Sequence, residues 1–322
     1  MDKKDLNRKA YQAMLDAKNV LIISHVGPDG DAVSSVGAMA ELMLALSKSY
    51  RIFCAKKRGQ YLDIPHEDEI TGDKDDVLPL SRFDLLLILD CGALARTDLA
   101  EEIVAAKQNG RPPFIIEFDH HPSMDDYADI EIRQPEKAST TEVIYGFLEG
   151  NGLAIGKDMA RCLLTGILTD TANFLYPNAS SDTIAVASSL LEKGAQFSKI
   201  VGRIGNNKTA STLKLWGKAM EKLKVNRDFN LAVCVLSEDD VRQTLGGENV
   251  DPDVFSDISG FLSNVAGVDA LIVVREEDGN IKGSLRGISE ASDISELARL
   301  LGGGGHPKAS GFLVPGRLKD LA

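Results

Sequence analysis

The chain has 322 residues, enough for two domains, and its 43% hydrophobic and 26% charged content is typical of a soluble globular protein. Its net charge of −12 argues against a duplex-DNA binder, which needs a basic face. No apolar run approaches the ~20 residues that cross a bilayer, so we expect no membrane partner. The N-terminus lacks the apolar core of a signal peptide, and the four cysteines are widely spaced in apolar contexts. We therefore expect a cytoplasmic protein with reduced thiols.

The first chemistry-bearing stretch is the loop that joins the first predicted strand to the helix after it. It contains His25, Asp29 and Asp31, and we expect Asp31 to cap the helix. Two carboxylates this close repel each other unless a cation lies between them, although an acidic surface turn would have the same composition. The predicted elements around the loop are a helix over 5–18, a strand over 19–24 and a helix over 32–47.

Two further apolar runs, 84–90 and 113–118, have the composition of strands covered on both faces. The first ends in Asp90 and the second runs into Asp119-His120-His121. A short strand at 51–55 and a helix at 98–108 complete an alternating pattern, which predicts a parallel sheet with helices on both faces. Because the carboxyl ends of parallel strands lie at one edge, we expect the polar clusters to meet there.

The chain is mostly helical from about 140 to 207, and Asp170 lies in an apolar helical stretch where a buried carboxylate needs a counter-charge. A second, smaller α/β pattern follows. Its predicted elements are a helix at 209–224, a strand at 229–236, a helix at 253–265, a hairpin at 269–288, a helix at 293–301 and a strand at 311–314. We predict an N-terminal domain over 1–195, a helical linker over 196–224 and a C-terminal domain over 225–322.

Six side chains form a candidate metal site. Carboxylates with some imidazole suit manganese or magnesium. The set is large enough for two ions, with Asp90 as a bridge, and two-metal sites clamp the attacking and leaving oxygens of a phosphoryl group. The six candidates are His25, Asp29, Asp31, Asp90, His120 and Asp170.

We assign His120 to a metal and His121 to the substrate phosphate, where His121 can donate a proton or a hydrogen bond. Asp119 can orient one of the two imidazoles. Arg96 is a candidate phosphate clamp. In the second domain, a run of four glycines precedes His306, and bare backbone amides of this kind can approach an anion. The helix before the run directs its negative end towards it, so Arg286 and His306 must supply the positive charge.

Taken in order, these motifs resemble the DHH phosphoesterase family, with a RecJ-like first domain and a DHH-associated C-terminal domain. The resemblance covers essentially the whole chain. It is carried by residues 25–31, by Asp90, by Asp119-His120-His121, by Thr169-Asp170-Thr171, and by Gly302 to His306 followed by Ala309 and Gly311.

The resemblance implies a phosphohydrolase that uses two manganese ions, with magnesium as the alternative, and an active site in the cleft between the domains. A metal-activated water attacks phosphorus, and the C-terminal domain holds the substrate. One ion is assigned to His25, Asp29 and Asp90, and the other to Asp31, Asp90, His120 and Asp170. The remaining substrate-binding candidates are Ser139 and Thr140, from a stretch near the active site in the family, and Gly303, Gly304 and Gly305.

The size and motif order are most similar to the family type that hydrolyses short oligoribonucleotides and phosphoadenosine phosphate. We therefore expect short single-stranded RNA, linear or cyclic dinucleotides, or 3′-phosphoadenosine 5′-phosphate as substrates, and no duplex DNA. Two departures from the family pattern bear on substrate identity: Met124 stands where Asn is common, and Gly287 stands where Ser is common. Exopolyphosphatase or pyrophosphatase activity and a non-hydrolysing nucleotide sensor are the alternatives. A homodimer is also left open.

Overall fold

The computed structural model describes residues 3–56, 62–108, 113–122, 126–205, 209–246, 248, 253–277 and 279–318. The chain divides into two compact units, residues 1–207 and 208–322. Within the described ranges, no helix is both long enough and apolar enough to cross a membrane. All four cysteines are buried free thiols, as their apolar contexts predicted.

The first unit is a six-stranded parallel sheet surrounded by helices, as the alternating sequence pattern predicted. Its strands are β1 Asn19–Ile23, β2 Ser49–Phe53, β3 Ile70–Thr71, β4 Leu85–Leu89, β5 Phe114–Asp119 and β6 Ile130–Arg133. Its helices are α1 Lys3–Asp16, α2 Gly30–Ala45, α3 Ala100–Gln108, α4 Thr140–Gly150, α5 Lys157–Asp170, α6 Ser181–Glu192 and α7 Phe197–Gly205.

Both faces of this sheet are buried, which explains why its central strands β1 and β4 are almost entirely apolar. Along β1, Val20 and Ile22 contribute to one hydrophobic core, whereas Leu21 and Ile23 contribute to another on the opposite face. The first core contains residues from α1, α2, α4 and α5, and the second contains Ile103 of α3. Burial on both faces removes the polar alternation that a half-exposed strand would show.

The strand order is β3-β2-β1-β4-β5-β6, so the three strands that precede the polar clusters are adjacent. Ile23 of β1 pairs with Ile88 of β4, and Leu89 of β4 pairs with Phe118 of β5. The carboxyl ends of β1, β4 and β5 therefore lie side by side. This confirms the sequence-based expectation that the three clusters share one edge of the sheet.

The second unit contains a six-stranded mixed sheet in the order β11-β12-β10-β9-β8-β7, in which only β8 and β9 pair in parallel. The predicted hairpin forms β9 and β10. The elements of this unit are α8 Ala210–Lys222, β7 Lys224–Asn226, β8 Leu231–Leu236, α9 Glu238–Leu245, α10 Asp253–Leu262, β9 Ala270–Glu277, β10 Asn280–Gly287, α11 Ser295–Leu300, β11 Gly304–His306 and β12 Ala309–Pro315.

Several features differ from the sequence prediction. Asp31 does not cap α2: the cap is Asp29, whose side chain accepts a hydrogen bond from the backbone of Ala32 at 3.1 Å. The strands β3, β6, β7 and β11 were missed because each is only two to four residues long. The helix α9 was also missed, although its capping box, formed by Ser237 and Asp240, is a recognisable sequence signal.

Candidate metal centre

The β1–α2 loop brings His25 and Asp29 to the carboxyl edge of the sheet. The turn passes through Gly27, whose φ of 62° lies in the left-handed region that glycine adopts without strain. The buried His25 imidazole has its Nε2 atom 3.8 Å from Asp29 Oδ2 and 4.0 Å from Asp90 Oδ2. These spacings are too long for hydrogen bonds and leave room for a cation between the groups.

Asp90 lies at the centre of the cluster, immediately after β4. It is 2% exposed, and its backbone N–H donates to the carbonyl of Phe118 at 3.0 Å. Burial raises the pKa of the Asp90 carboxyl well above its usual range, and the neighbouring carboxylates, led by Asp31, raise it further. Without a counter-charge, an ionised carboxylate at this position is therefore costly.

Asp119, His120 and His121 follow β5 and have different surroundings. Asp119 is buried, and its Oδ1 atom lies 2.8 Å from Nδ1 of His121. Burial would raise the pKa of the Asp119 carboxyl, but hydrogen bonds from the His121 ring and from backbone N–H groups hold it below its usual value. His120 Nε2 lies 3.7 Å from Asp90 Oδ1. Burial lowers the pKa of His120, which favours the neutral imidazole that ligates metals.

The N-terminus of α4 holds two of the carboxylates from behind. Asp31 accepts hydrogen bonds from the backbone N–H of Thr140 at 2.6 Å and of Thr141 at 3.2 Å, and from the Thr141 hydroxyl at 2.7 Å. The Thr140 hydroxyl donates to Asp90 Oδ1 at 2.9 Å. These contacts explain why Asp31 is not a helix cap: its carboxylate is occupied by a different helix.

Asp170 completes the cluster from the last residue of α5. Its Oδ2 atom lies 3.4 Å from His120 Nε2, and burial raises the pKa of its carboxyl well above the usual range. The helix α5 can approach α2 closely because glycines lie at the contact between the two helices. A Cβ atom at Gly30 would lie 2.5 Å from Thr169, and one at Gly166 would lie 2.5 Å from Asp31 Oδ1.

The six predicted ligands thus converge, although they are spread over residues 25 to 170. His25, Asp29 and Asp90 place one potential ligand atom each within 4.8 Å of one another, and so do Asp31, His120 and Asp170. Asp90, His120 and His121 meet the same criterion. Crowded carboxylates that repel one another, together with imidazole nitrogens, are the donor set that a pair of hard divalent cations would satisfy. The residues present therefore fit the implied metals.

The predicted substrate-binding residues of the first unit fall into two groups. Arg96 is exposed, and its guanidinium donates to the carbonyl of Cys91 at 3.1 Å, beside the cluster. Ser139 and Thr140 are fully buried. Ser139 caps α4 by accepting a hydrogen bond from Glu142, and Thr140 contacts Asp31 and Asp90. Both are therefore packed behind the carboxylates. A Ser-Thr-Thr stretch at a predicted helix N-terminus was the signal for this holding role.

The other predicted substrate-binding residues belong to the second unit. Arg286 is on β10 and opposite Ala309 of β12, and the exposed His306 ends β11. Packing also requires glycine at two positions of the run. A Cβ atom at Gly305 would lie 2.6 Å from the carbonyl of Ala309, and one at Gly303 would clash with the backbone of β12. A Cβ atom at Gly304 would meet nothing within 4 Å.

The structure also accounts for one departure from the family pattern. A Cβ atom at Gly287 would lie 3.1 Å from the carbonyl oxygens of both Ser292 and Pro307, so a larger residue has little room there. Met124 lies outside the described residues.

Four carboxylates and two imidazoles gathered at the carboxyl edge of a parallel sheet define a class of protein, and the family comparison agrees with it. A model of the N-terminal domain of the DHH family matches residues 19–167, and a model of the DHHA1 domain matches residues 228–322. The chain belongs to the DHH family, with a DHH domain followed by a DHHA1 domain.

Individual relatives resemble the chain over most of its length. The bifunctional oligoribonuclease and PAP phosphatase NrnA of Thermus thermophilus is 28% identical over 94% of this chain and 86% of its own. The structure of an exopolyphosphatase-related protein from Bacteroides fragilis is 26% identical, with a TM-score of 0.85, and the match covers 96% of this chain and 90% of that one. RecJ from T. thermophilus in complex with Mn²⁺ shares the fold at 13% identity and a TM-score of 0.53, over 97% of this chain and 52% of its own.

Proposed function

We propose that this protein is a metal-dependent phosphoesterase that hydrolyses short oligoribonucleotides, linear or cyclic dinucleotides, or 3′-phosphoadenosine 5′-phosphate. The observation that carries the proposal is the position of Asp90, with its two carboxylate oxygens within 4.0 Å of His25 on one side and His120 on the other. A carboxylate between two ligand groups can bridge two ions, and two-metal sites clamp the attacking and leaving oxygens of a phosphoryl group.

The two proposed ligand groups share Asp90. His25 and Asp29 complete one group, whereas Asp31, His120 and Asp170 complete the other. Two Mn²⁺ or Mg²⁺ ions bound there would neutralise the phosphoryl oxygens and lower the pKa of an attacking water. Thr140 acts through Asp31 and Asp90, which it holds in place by hydrogen bonds, and Ser139 fixes the helix start that presents it.

His121 is proposed to contact the scissile phosphate rather than a metal. Its Nδ1 atom is held by Asp119 at 2.8 Å, which fixes the orientation of the ring. We assign the other ring nitrogen to proton or hydrogen-bond donation at a phosphoryl oxygen. Arg96 is proposed to bind the substrate phosphate as a clamp.

We propose that residues 1–195 carry the chemistry, that 196–224 link the domains, and that 225–322 bind the substrate. Arg286 and His306 would supply positive charge to a terminal phosphate, and the backbone at Gly303, Gly304 and Gly305 would approach it. The substrate class is supported by the similarity to a relative named as an oligoribonuclease and PAP phosphatase, with which 94% of this chain aligns.

The test is a turnover assay on a panel of substrates with Mn²⁺. Short RNA, dinucleotides, phosphoadenosine phosphate and polyphosphate would be compared, each with wild type and with Asp90→Ala. We expect release of nucleotide or phosphate from the first three substrates by the wild type and none by Asp90→Ala. Hydrolysis that persists in Asp90→Ala would contradict the assignment of the site.

A second candidate is exopolyphosphatase activity at the same centre. It is favoured by the similarity to the B. fragilis protein, whose description is exopolyphosphatase-related. The same panel separates the two candidates, because faster turnover of polyphosphate than of any nucleotide would replace the first proposal with the second.

A further inference from the structure

A second group of charged side chains lies in the first unit, away from the candidate metal centre. It surrounds a cavity of about 220 Å³ whose lining includes Lys157 and Arg161 of α5, Lys199 of α7, and Asp63. Lys157 and Asp170 are the two ends of α5. A helix rises ~1.5 Å per residue, so this cavity and the metal centre are separated by roughly 20 Å.

Two arginines, of which Arg161 lines the cavity, share one carboxylate oxygen of Asp63. Arg161 and Arg203 each place a terminal nitrogen near Asp63 Oδ2, at 3.3 Å and 3.2 Å. A guanidinium carries five N–H donors, so one shared oxygen uses only a small part of the donor capacity of this pair. Guanidinium groups bind phosphate through charge-assisted hydrogen bonds that are often bidentate, so two convergent guanidinium groups suit a phosphate ligand.

Two lysines add positive charge that the protein itself does not balance. The Lys157 and Lys199 ammonium groups are exposed and have no hydrogen-bond or ion-pair partner in the described part of the chain. The stem of Lys157 lies against Gly194, where a Cβ atom would be 3.3 Å from its Cγ. Three cationic side chains, those of Lys157, Arg161 and Lys199, therefore line the cavity together with two carboxylates, Asp63 and Asp158. Arg203 adds a fourth positive charge at Asp63, in a chain whose net charge is −12.

We propose that this cavity is a binding site for the phosphate group of a small anion, separate from the metal centre. The anion would accept hydrogen bonds from Arg161 and Arg203 in competition with Asp63. The positive charges of Lys157 and Lys199 would attract it electrostatically. Pockets for drug-sized ligands occupy roughly 300–1,000 Å³, so a smaller cavity suits inorganic phosphate or the phosphate end of a mononucleotide rather than an oligonucleotide.

The experiment is calorimetric titration of the metal-free, full-length protein with inorganic phosphate. We expect Lys157→Gln/Lys199→Gln to weaken binding by about tenfold or more, because charge-assisted hydrogen bonds are lost. The control Lys4→Gln/Lys18→Gln makes the same charge change at exposed lysines elsewhere in this unit and is expected to bind as wild type does. Asp63→Asn should bind phosphate more tightly than wild type, because it removes the competing carboxylate.

Two further measurements identify the site and the ligand. Lys282→Gln, a charge change in the other unit outside the proposed substrate-binding residues, should leave this binding intact. Adenosine monophosphate that binds more tightly than phosphate assigns the cavity to a nucleotide, and equal or weaker binding assigns it to phosphate itself. The proposal is overturned by a wild type that binds no phosphate. It is also overturned if the Lys157/Lys199 variant binds as wild type does, or if Asp63→Asn fails to bind more tightly.

Discussion

Asp90 combines three unusual features in one residue. Its φ of 59° is left-handed, a conformation in which Asp and Asn are enriched among non-glycine residues. It is buried, and it is surrounded by other carboxylates that raise the pKa of its own carboxyl. A left-handed residue directly after a strand turns the side chain out of the sheet register. Local strain and electrostatic cost at one position are typical of a functional site.

The first prediction is that Asp90→Asn separates stability from activity. A carboxyl whose folded-state pKa is raised costs stability at neutral pH, so the metal-free variant should have a free energy of unfolding equal to or above that of wild type. Turnover should fall by about 10³-fold or more. Urea unfolding in chelator and a Mn²⁺ assay measure the two effects. Asp16→Asn, at an exposed carboxylate on α1, is the control, and a less stable Asp90→Asn would contradict the electrostatic account.

Thr140 tests whether the hydroxyl behind the metal centre matters. Thr140→Val removes the hydroxyl that donates to Asp90 but keeps the backbone N–H that donates to Asp31. We expect metal affinity to fall by about 10–100-fold, as for other groups that orient metal ligands. Thr140→Ser restores a hydroxyl and should recover most of this affinity. Mn²⁺ titration of the three proteins decides the matter, and equal losses in both variants would indicate a packing effect instead.

At the scale of elements, the metal centre depends on the close approach of α2 and α5. Asp31 is in the first turn of α2 and Asp170 ends α5, so the two carboxylates meet only if the helices cross at short distance. Gly30 and Gly166 lie at this contact, and neither has room for a Cβ atom. Packing here thus sets the geometry of the site.

We therefore predict opposite effects from two Gly→Ala changes inside helices. Gly166→Ala places a methyl group against Thr141 and Asp31 and should destabilise the protein by about 1–3 kcal/mol while weakening Mn²⁺ binding. Gly146→Ala, in the exposed interior of α4 with nothing within 4 Å, should stabilise by up to about 1 kcal/mol. Thermal unfolding compares the two variants. If Gly166→Ala instead stabilised the protein, α2 and α5 would be able to move apart without loss of unfolding free energy, which would contradict the prediction.

A histidine away from the metal centre gives a pH prediction. His66 lies between Glu41 of α2 and Glu69, with nitrogen–oxygen distances of 2.7 and 2.8 Å. Burial lowers the pKa of His66, but hydrogen bonds and charge from the two glutamates outweigh it and raise the pKa above 6.5. A raised folded-state pKa adds stability that is complete below the unfolded value and is lost as pH rises through the folded value.

The stability difference between wild type and His66→Gln should therefore be largest below about pH 6.5 and shrink at higher pH. Denaturant unfolding across pH 5 to 9 at constant ionic strength measures it. A difference that does not change with pH would show that His66 contributes by packing alone.

At the scale of the whole molecule, the chain divides into two units, and the candidate metal ligands belong to a different unit from two of the substrate-binding candidates. The candidate metal ligands all belong to the unit of residues 1–207, whereas Arg286 and His306 belong to the unit of residues 208–322. Each unit has hydrophobic clusters of its own. A change in one proposed role should therefore leave the other intact.

Arg286→Ala is the corresponding prediction. We expect KM for a dinucleotide to rise more than kcat falls, with Mn²⁺ affinity unchanged, because the lost group binds substrate in both ground and transition states. Steady-state kinetics and Mn²⁺ titration measure the three quantities. Lys282→Ala, on the same strand, is the control for loss of a nearby positive charge. A fall in kcat at unchanged KM would move Arg286 into the chemistry.

The amino-acid sequence by itself determined the alternation of strands and helices, the parallel sheet, and the six candidate ligands. It did so because burial on both faces makes β1, β4 and β5 mostly apolar, and because polar residues at the ends of such strands stand out.

Only the tertiary structure decided which groups hold these ligands. The sequence offered Asp31 as a helix cap, but its carboxylate is bound by Thr140 and Thr141, which lie 109 and 110 residues further along the chain. The approach of α5 over Gly166 likewise appears only once the helices are packed. Hydropathy and capping patterns within one segment of the sequence indicate which residues are buried and which cap a helix. Contacts between distant segments depend on how the helices cross, and no periodicity within one segment encodes that crossing.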